Sequence, residues 1–181
     1  MSRTIAFLRA INVGGHVVKM DHLRRVFESL GFADVETFIA SGNVIFNSPS
    51  KPSAALEKKI AARLHDEFGF EVATFLRTDS EVARIAQHKA FKPVDLAAAG
   101  AYCVAFLADA LDAKAKAKLM TLRTEIDDFA AHEREVYWLC RKKQSESKFS
   151  NAAFEKALGR QATFRGINTV VKIAAKYPPA K

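Results

Sequence analysis

The chain has 181 residues, 49% of them hydrophobic and 27% charged, with a formal net charge of +8. This is an ordinary globular composition, of a length that suits one large domain or two small ones. No apolar run is long enough to span a bilayer and no apolar signal stretch follows Arg3, so a cytoplasmic protein with no membrane partner is expected.

Thr4 to Arg9 reads as a strand, a short apolar run that ends in a cation. Asn12, Gly14 and Gly15 follow it, and Asn and Gly are the residues that reach positive φ cheaply. Asp21 starts a helix with Leu23, Val26, Phe27 and Leu30 on one face, and Gly31 ends it. Val35 to Ala40 and Val44 to Asn47 form a hairpin through Ser41-Gly42-Asn43. Ser50 or Ser53 opens a helix carrying Leu56, Ile60, Leu64 and Phe68, which Gly69 stops. Val72 to Arg77 is a strand. Thr78 to Glu81 is a capping box for a third helix with Val82, Ile85 and Ala86. Pro93 breaks the chain, and Leu96 to Gly100 is a soft connector.

The second half repeats this order. Tyr102 to Leu107 is a strand, and Asp109 or Asp112 caps a helix carrying Leu111, Ala115, Leu119 and Leu122. Phe129 to Ala131 and Val136 to Cys140 form a hairpin. Arg141 to Lys148 is a loop, Asn151 to Leu158 a helix, Ala162 to Arg165 a strand and Ile167 to Lys176 a last helix. Pro178-Pro179 closes the chain as a loose tail. Each half therefore reads β-α-β-β-α-β-α, the order of a ferredoxin-like unit plus a helix. The fold class expected is α+β, two tandem ferredoxin-like halves (residues 1–95 and 96–181) packed into one compact body.

Along these elements the chain resembles a bacterial family numbered 1697 among the domains of unknown function. The resemblance rests on Leu8-Arg9-Ala10-Ile11-Asn12-Val13-Gly14-Gly15, Lys19-Met20, Leu23, Gly31-Phe32, Ser41-Gly42-Asn43-Val44 and Phe46. Ser147-Lys148 and Arg165 with Asn168-Thr169-Val170 and Lys172 resemble the family's closing motif. Gly166-Ile167 stand where that motif usually has Asn-Trp. The resemblance implies a two-lobed ferredoxin-like fold and no particular activity.

The first candidate site is the loop itself. Arg9, Asn12, Gly14, Gly15 and Lys19 form a strand–loop–helix junction next to fixed cations, an arrangement suited to a small anionic or phosphorylated ligand. The loop has neither a P-loop ending nor a dinucleotide glycine spacing, and a tight turn that lets lobes approach is the alternative. The Ser41-Gly42-Asn43 turn is expected at the opposite end of the sheet, about 17–20 Å away, because the first and third strands are expected to run parallel.

The second candidate follows from charge. Residues 134–181 hold 11 basic residues against Glu135, Glu146 and Glu155, which accounts for the whole excess. Arg141, Lys142, Lys143, Lys148 and Arg165 are the residues expected to meet nucleic acid there. Tyr137, Trp138 and Phe149 are expected in the core, because no RNA-recognition sequence lies on either third strand.

An enzyme is the third reading, with His16 as a proton carrier and the acids Asp127-Asp128 near Glu125 and Glu133. Adjacent acids on a hairpin usually face solvent, and the five histidines lack metal spacing, so no metal or cofactor is expected. Cys103 and Cys140 lie in apolar runs and read as buried structural thiols.

Overall fold

The structure is a computed structural model that describes residues 2–180. Its contacts divide the chain into two compact units, residues 1–86 with 172–181 and residues 87–171.

In the first unit β1 (Ser2–Leu8), β2 (Ala33–Thr37), β3 (Asn43–Ser48) and β4 (Thr74–Thr78) form one sheet in the order β2-β3-β1-β4, with every pairing antiparallel. α1 (Met20–Ser29) and α2 (Ala54–Phe68) connect its strands, and α3 (Asp79–Gln87) follows it. Apolar spacing puts Leu23, Val26 and Phe27 of α1 and Leu56, Ile60 and Leu64 of α2 in a core with Ala6, Leu8, Val44, Phe46 and Leu76. Strand alternation sends Ile5, Phe7, Ile45, Phe75 and Arg77 to the opposite face, and these are buried as well. Two of the three expected helix starts in this unit hold; α1 instead begins at Met20 with Lys19 at its N-cap and no side-chain cap, which leaves Asp21 inside its first turn. Ser53 Oγ accepts from Leu56 N at 3.2 Å. Thr78 and Glu81 cap each other's backbone N–H, at 2.7 and 3.1 Å.

In the second unit β5 (Ala101–Phe106), β6 (Asp127–His132), β7 (Glu135–Cys140) and β8 (Thr163–Gly166) form a sheet in the order β6-β7-β5-β8, again antiparallel throughout. α5 (Ala113–Met120) and α6 (Asn151–Leu158) cover it. They are capped by Asp112 and Ser150, and their apolar faces meet Cys103, Ala105, Phe129 and Trp138 in the second core. α7 (Ile167–Lys176) follows β8.

Three further local expectations change. Pro93 starts a short helix, α4 (Pro93–Ala97), because proline lacks only an N–H that the first helical turn leaves unbonded anyway. β2 stops at Thr37, since Asn43 closes a longer hairpin loop: its Nδ2 donates to Phe38 O and Ser41 Oγ, both at 2.9 Å. The first and third strands run antiparallel, with Phe7 opposite Asn43. The crossover through α1 makes β1 and β2 parallel with β3 between them, and the hairpin then reverses β3 against both. The glycine loop and the Ser41-Gly42-Asn43 turn consequently share one end of the sheet.

The Pro178-Pro179 tail is tied at its root. Tyr177 is buried, and its hydroxyl donates to Glu36 Oε2 at 2.7 Å beside Lys176 Nζ at 3.0 Å. Arg3 donates to Pro178 O at 3.1 Å. The hydrogen bonds from Tyr177 and then Lys176 hold the Glu36 carboxyl below the usual carboxylate range. A carboxyl lowered in the folded state stabilises above its unfolded pKa and loses that contribution as pH falls through the lowered value. The Tyr177 ring resonances are therefore expected to titrate with a midpoint below that of a free glutamate. Glu36→Gln should abolish the titration; a Tyr177 signal insensitive to acid would contradict the tie.

Candidate functional site

The loop grows from the end of β1, where both sheet neighbours hold it. Leu8 N donates to Gly42 O at 2.8 Å and Arg9 N to Ala73 O at 2.9 Å. Asn12 then joins two loops. Its Nδ2 donates to Ala40 O at 2.9 Å, and its Oδ1 accepts from Val18 N at 2.7 Å. Both ends of the amide are used, so Asn12 builds the site rather than presenting a side chain to a ligand. Gly42 is buried beneath this clasp, against Ile11 and Leu8.

Left-handed backbone recurs in both loops. Ala10 (φ 56°), Gly14 (67°), Gly15 (87°), Ile39 (51°) and Gly42 (76°) are all left-handed. A β-branched residue such as Ile39 rarely adopts that conformation, and backbone strain of this kind clusters at functional sites. Gly14 and Gly15 are exposed, with nothing within 4 Å of where a Cβ would stand. Among the described residues neither glycine amide has an acceptor in the protein.

The charges sit around this frame. Arg9 is partly buried at the loop's root, and Lys19 is exposed at the N-cap of α1. His16 stacks on Phe70, 3.8 Å between ring centres. Val13, Val17 and Ile39 are 57, 87 and 54% exposed, each one residue from an atom that Asn12 bonds or from Asn12 itself. The loop pair therefore offers unpartnered amides and a cation beside exposed aliphatic side chains.

The second basic group is dispersed. Arg141 lies 3.6 Å from Asp95 and 3.8 Å from Asp128. Arg165 is buried on β8, where it donates to Thr163 Oγ1 at 2.8 Å and Phe164 O at 2.9 Å. Burial lowers its pKa to about 10, so it remains a cation at neutral pH inside the fold. Lys142, Lys143 and Lys148 are exposed. Tyr137 and Trp138 are core residues, and Phe149 packs partly buried against Trp138.

Asp127 differs from the expectation of a solvent-facing acid. It is 2% exposed and accepts from Trp138 Nε1 at 2.9 Å, Ser147 Oγ at 2.8 Å and Thr124 Oγ1 at 2.9 Å. Strand alternation pairs Asp127 with Cys140 and turns it inward, which adjacency of two acids in sequence does not reveal. Asp128 sits with Arg123, 2.8 Å away. Among the described residues no three of His, Cys, Asp and Glu gather in a way that would hold a metal ion. No described helix is long and apolar enough to cross a membrane. The thiols are buried and unpaired as expected; burial pushes Cys103 up to about 11 and also raises Cys140. Neither is a ready nucleophile at neutral pH.

No curated protein matches the chain. Among solved structures it is similar to the conserved bacterial protein SP0830 from Streptococcus pneumoniae. The identity is 22%, the TM-score 0.72 and the coverage 98% of each chain, a likeness of fold. The model of the family described as protein of unknown function, DUF1697, matches residues 1–137. That span includes both loops of the candidate site. The chain belongs to the DUF1697 family.

Proposed function

We propose that the paired loops bind a small anionic or phosphorylated ligand of nucleotide-like size. The observation that carries this reading is the pair of exposed glycine amides, Gly14 and Gly15, without protein acceptors in a loop braced by Asn12. Backbone N–H groups of this kind are effective anion donors. Lys19 and Arg9 supply charge, and Val13, Val17 and Ile39 offer apolar contact to the rest of the ligand. Nothing comparable gathers Arg141, Lys142, Lys143, Lys148 and Arg165, so nucleic-acid binding through that region has less support.

On the same footing, each unit is read as ferredoxin-like, and the repeated element order is read as an internal duplication. Two unpaired buried thiols suit a reducing, cytoplasmic compartment.

The test is a thermal-shift screen with nucleoside phosphates and sugar phosphates. A ligand that raises the melting temperature is expected. Lys19→Ala should weaken it by about 10–100-fold, the worth of one charge-assisted hydrogen bond. No shift with any phosphate, or a shift that Arg9→Ala and Lys19→Ala leave untouched, would overturn the reading.

A further inference from the structure

A separate group of cations lies on the helical side of the first unit. α1 and α2 border an open groove of about 270 Å³ lined by His22, Arg25, Val26, Arg63 and Glu67. Glu67 is its one acid. His22 Nε2 lies 2.6 Å from one carboxylate oxygen, and Arg63 Nη1 donates to the other at 2.8 Å. These two hydrogen bonds, His22 first, hold the Glu67 carboxyl below the usual range, so it is ionised at neutral pH.

His22 is fixed from a second side by the edge of Phe68, 5.1 Å between ring centres. Arg25 follows His22 by three residues and so shares its face of α1. Among the described residues the Arg25 side chain has no hydrogen bond and no ion pair. Arg63 and His22 thus hold one carboxylate while Arg25 lines the groove unpaired, so the groove keeps a positive excess with an oxyanion already in place.

The groove's donors are set around a planar oxyanion, one on each oxygen, and Glu67 plays that part from within the chain. A phosphate group has more oxygens and more charge than a carboxylate, and it would engage Arg25 as well. We infer that this groove is a second anion site, taking a phosphate-class oxyanion on Arg25, Arg63 and His22, with Glu67 as a tethered competitor that keeps its affinity low. The site is independent of the glycine loop, since no residue belongs to both.

The experiment is a titration of the full chain with inorganic phosphate at constant ionic strength, followed by backbone amide resonances. Saturable shifts are expected along α1 and α2 around His22, Arg25 and Arg63. Arg25→Ala should weaken them about tenfold, and Glu67→Gln should tighten them at least about threefold, because the competing charge is gone. Lys19→Ala should leave them unchanged. Both groove variants lie on the surface, and their melting curves check that they fold. Shifts that fail to saturate, that survive Arg25→Ala, or that weaken in Glu67→Gln would overturn the assignment.

Discussion

Gly42→Ala is expected to cost about 2–5 kcal/mol of stability and to abolish ligand binding at the paired loops. Two effects add. A left-handed alanine costs roughly 1–2 kcal/mol. A Cβ at this position would stand 2.7 Å from Ile11 Cγ2 and 3.1 Å from Leu8 Cβ. Ile11 is buried and branched, so it has no free end to swing aside, and overpacking of that kind costs about 1–3 kcal/mol. For a chain of this length the melting temperature should fall by about 4–20 °C. Relief of the clash must push Ile11 away, and Ile11 adjoins Asn12, so the bridge between the two loops should loosen with it. Gly14→Ala is the useful comparison: nothing stands near its Cβ, and only the left-handed conformation is penalised. Equal melting temperatures for the two variants would contradict this account of Gly42.

Asp127→Ala is expected to destabilise the second unit by at least about 4 kcal/mol. Trp138 is 2% exposed, and its indole N–H has Asp127 as its acceptor. Ser147 Oγ meets both carboxylate oxygens, at 2.8 and 2.9 Å, and thereby roots the loop that follows β7. Removing the acid leaves a buried N–H unsatisfied, at about 1–3 kcal/mol, and breaks further hydrogen bonds to a charge worth about 1.5–3 kcal/mol each. Asp127→Asn keeps one acceptor oxygen and should fall between the two. Trp138 is the chain's one tryptophan, so its fluorescence follows the unfolding directly. A variant that melts within 2 °C of the parent, a margin of about 1 kcal/mol, would show that Asp127 is dispensable.

These two sites mark where the sequence was legible and where it was not. Local rules act within a few residues, and they held where the partner lies nearby. Ser53 and Asp112 cap the helices that their spacing implies, and Thr78 with Glu81 forms the box its spacing implies, whereas α1 starts without the Asp21 cap. The apolar positions of α1 and α2 face the core for the same reason. Strand direction is a long-range property, and the assumption of parallel first and third strands separated two loops that Asn12 in fact joins. Nothing in the triplet Ile39-Ala40-Ser41 announces a left-handed isoleucine, because only the tertiary clasp makes that conformation tolerable. The buried role of Asp127 depends on Trp138 and Ser147, 11 and 20 residues away. The groove at His22 needs two helices whose relative placement no periodicity specifies. The resemblance to the family drew attention to the Asn12 loop, although the physical reason for the Asn12 position emerged only with its two hydrogen bonds.

The central claim is that the paired loops hold an anion on the Gly14 and Gly15 amides. A titration of the isotopically labelled chain with a nucleoside monophosphate, read at those two amide resonances, tests it most directly. Saturable shifts at Gly14 and Gly15 that weaken about 10–100-fold in Lys19→Ala are predicted. Unmoved glycine amides at saturating ligand, with or without shifts elsewhere in the chain, would contradict it.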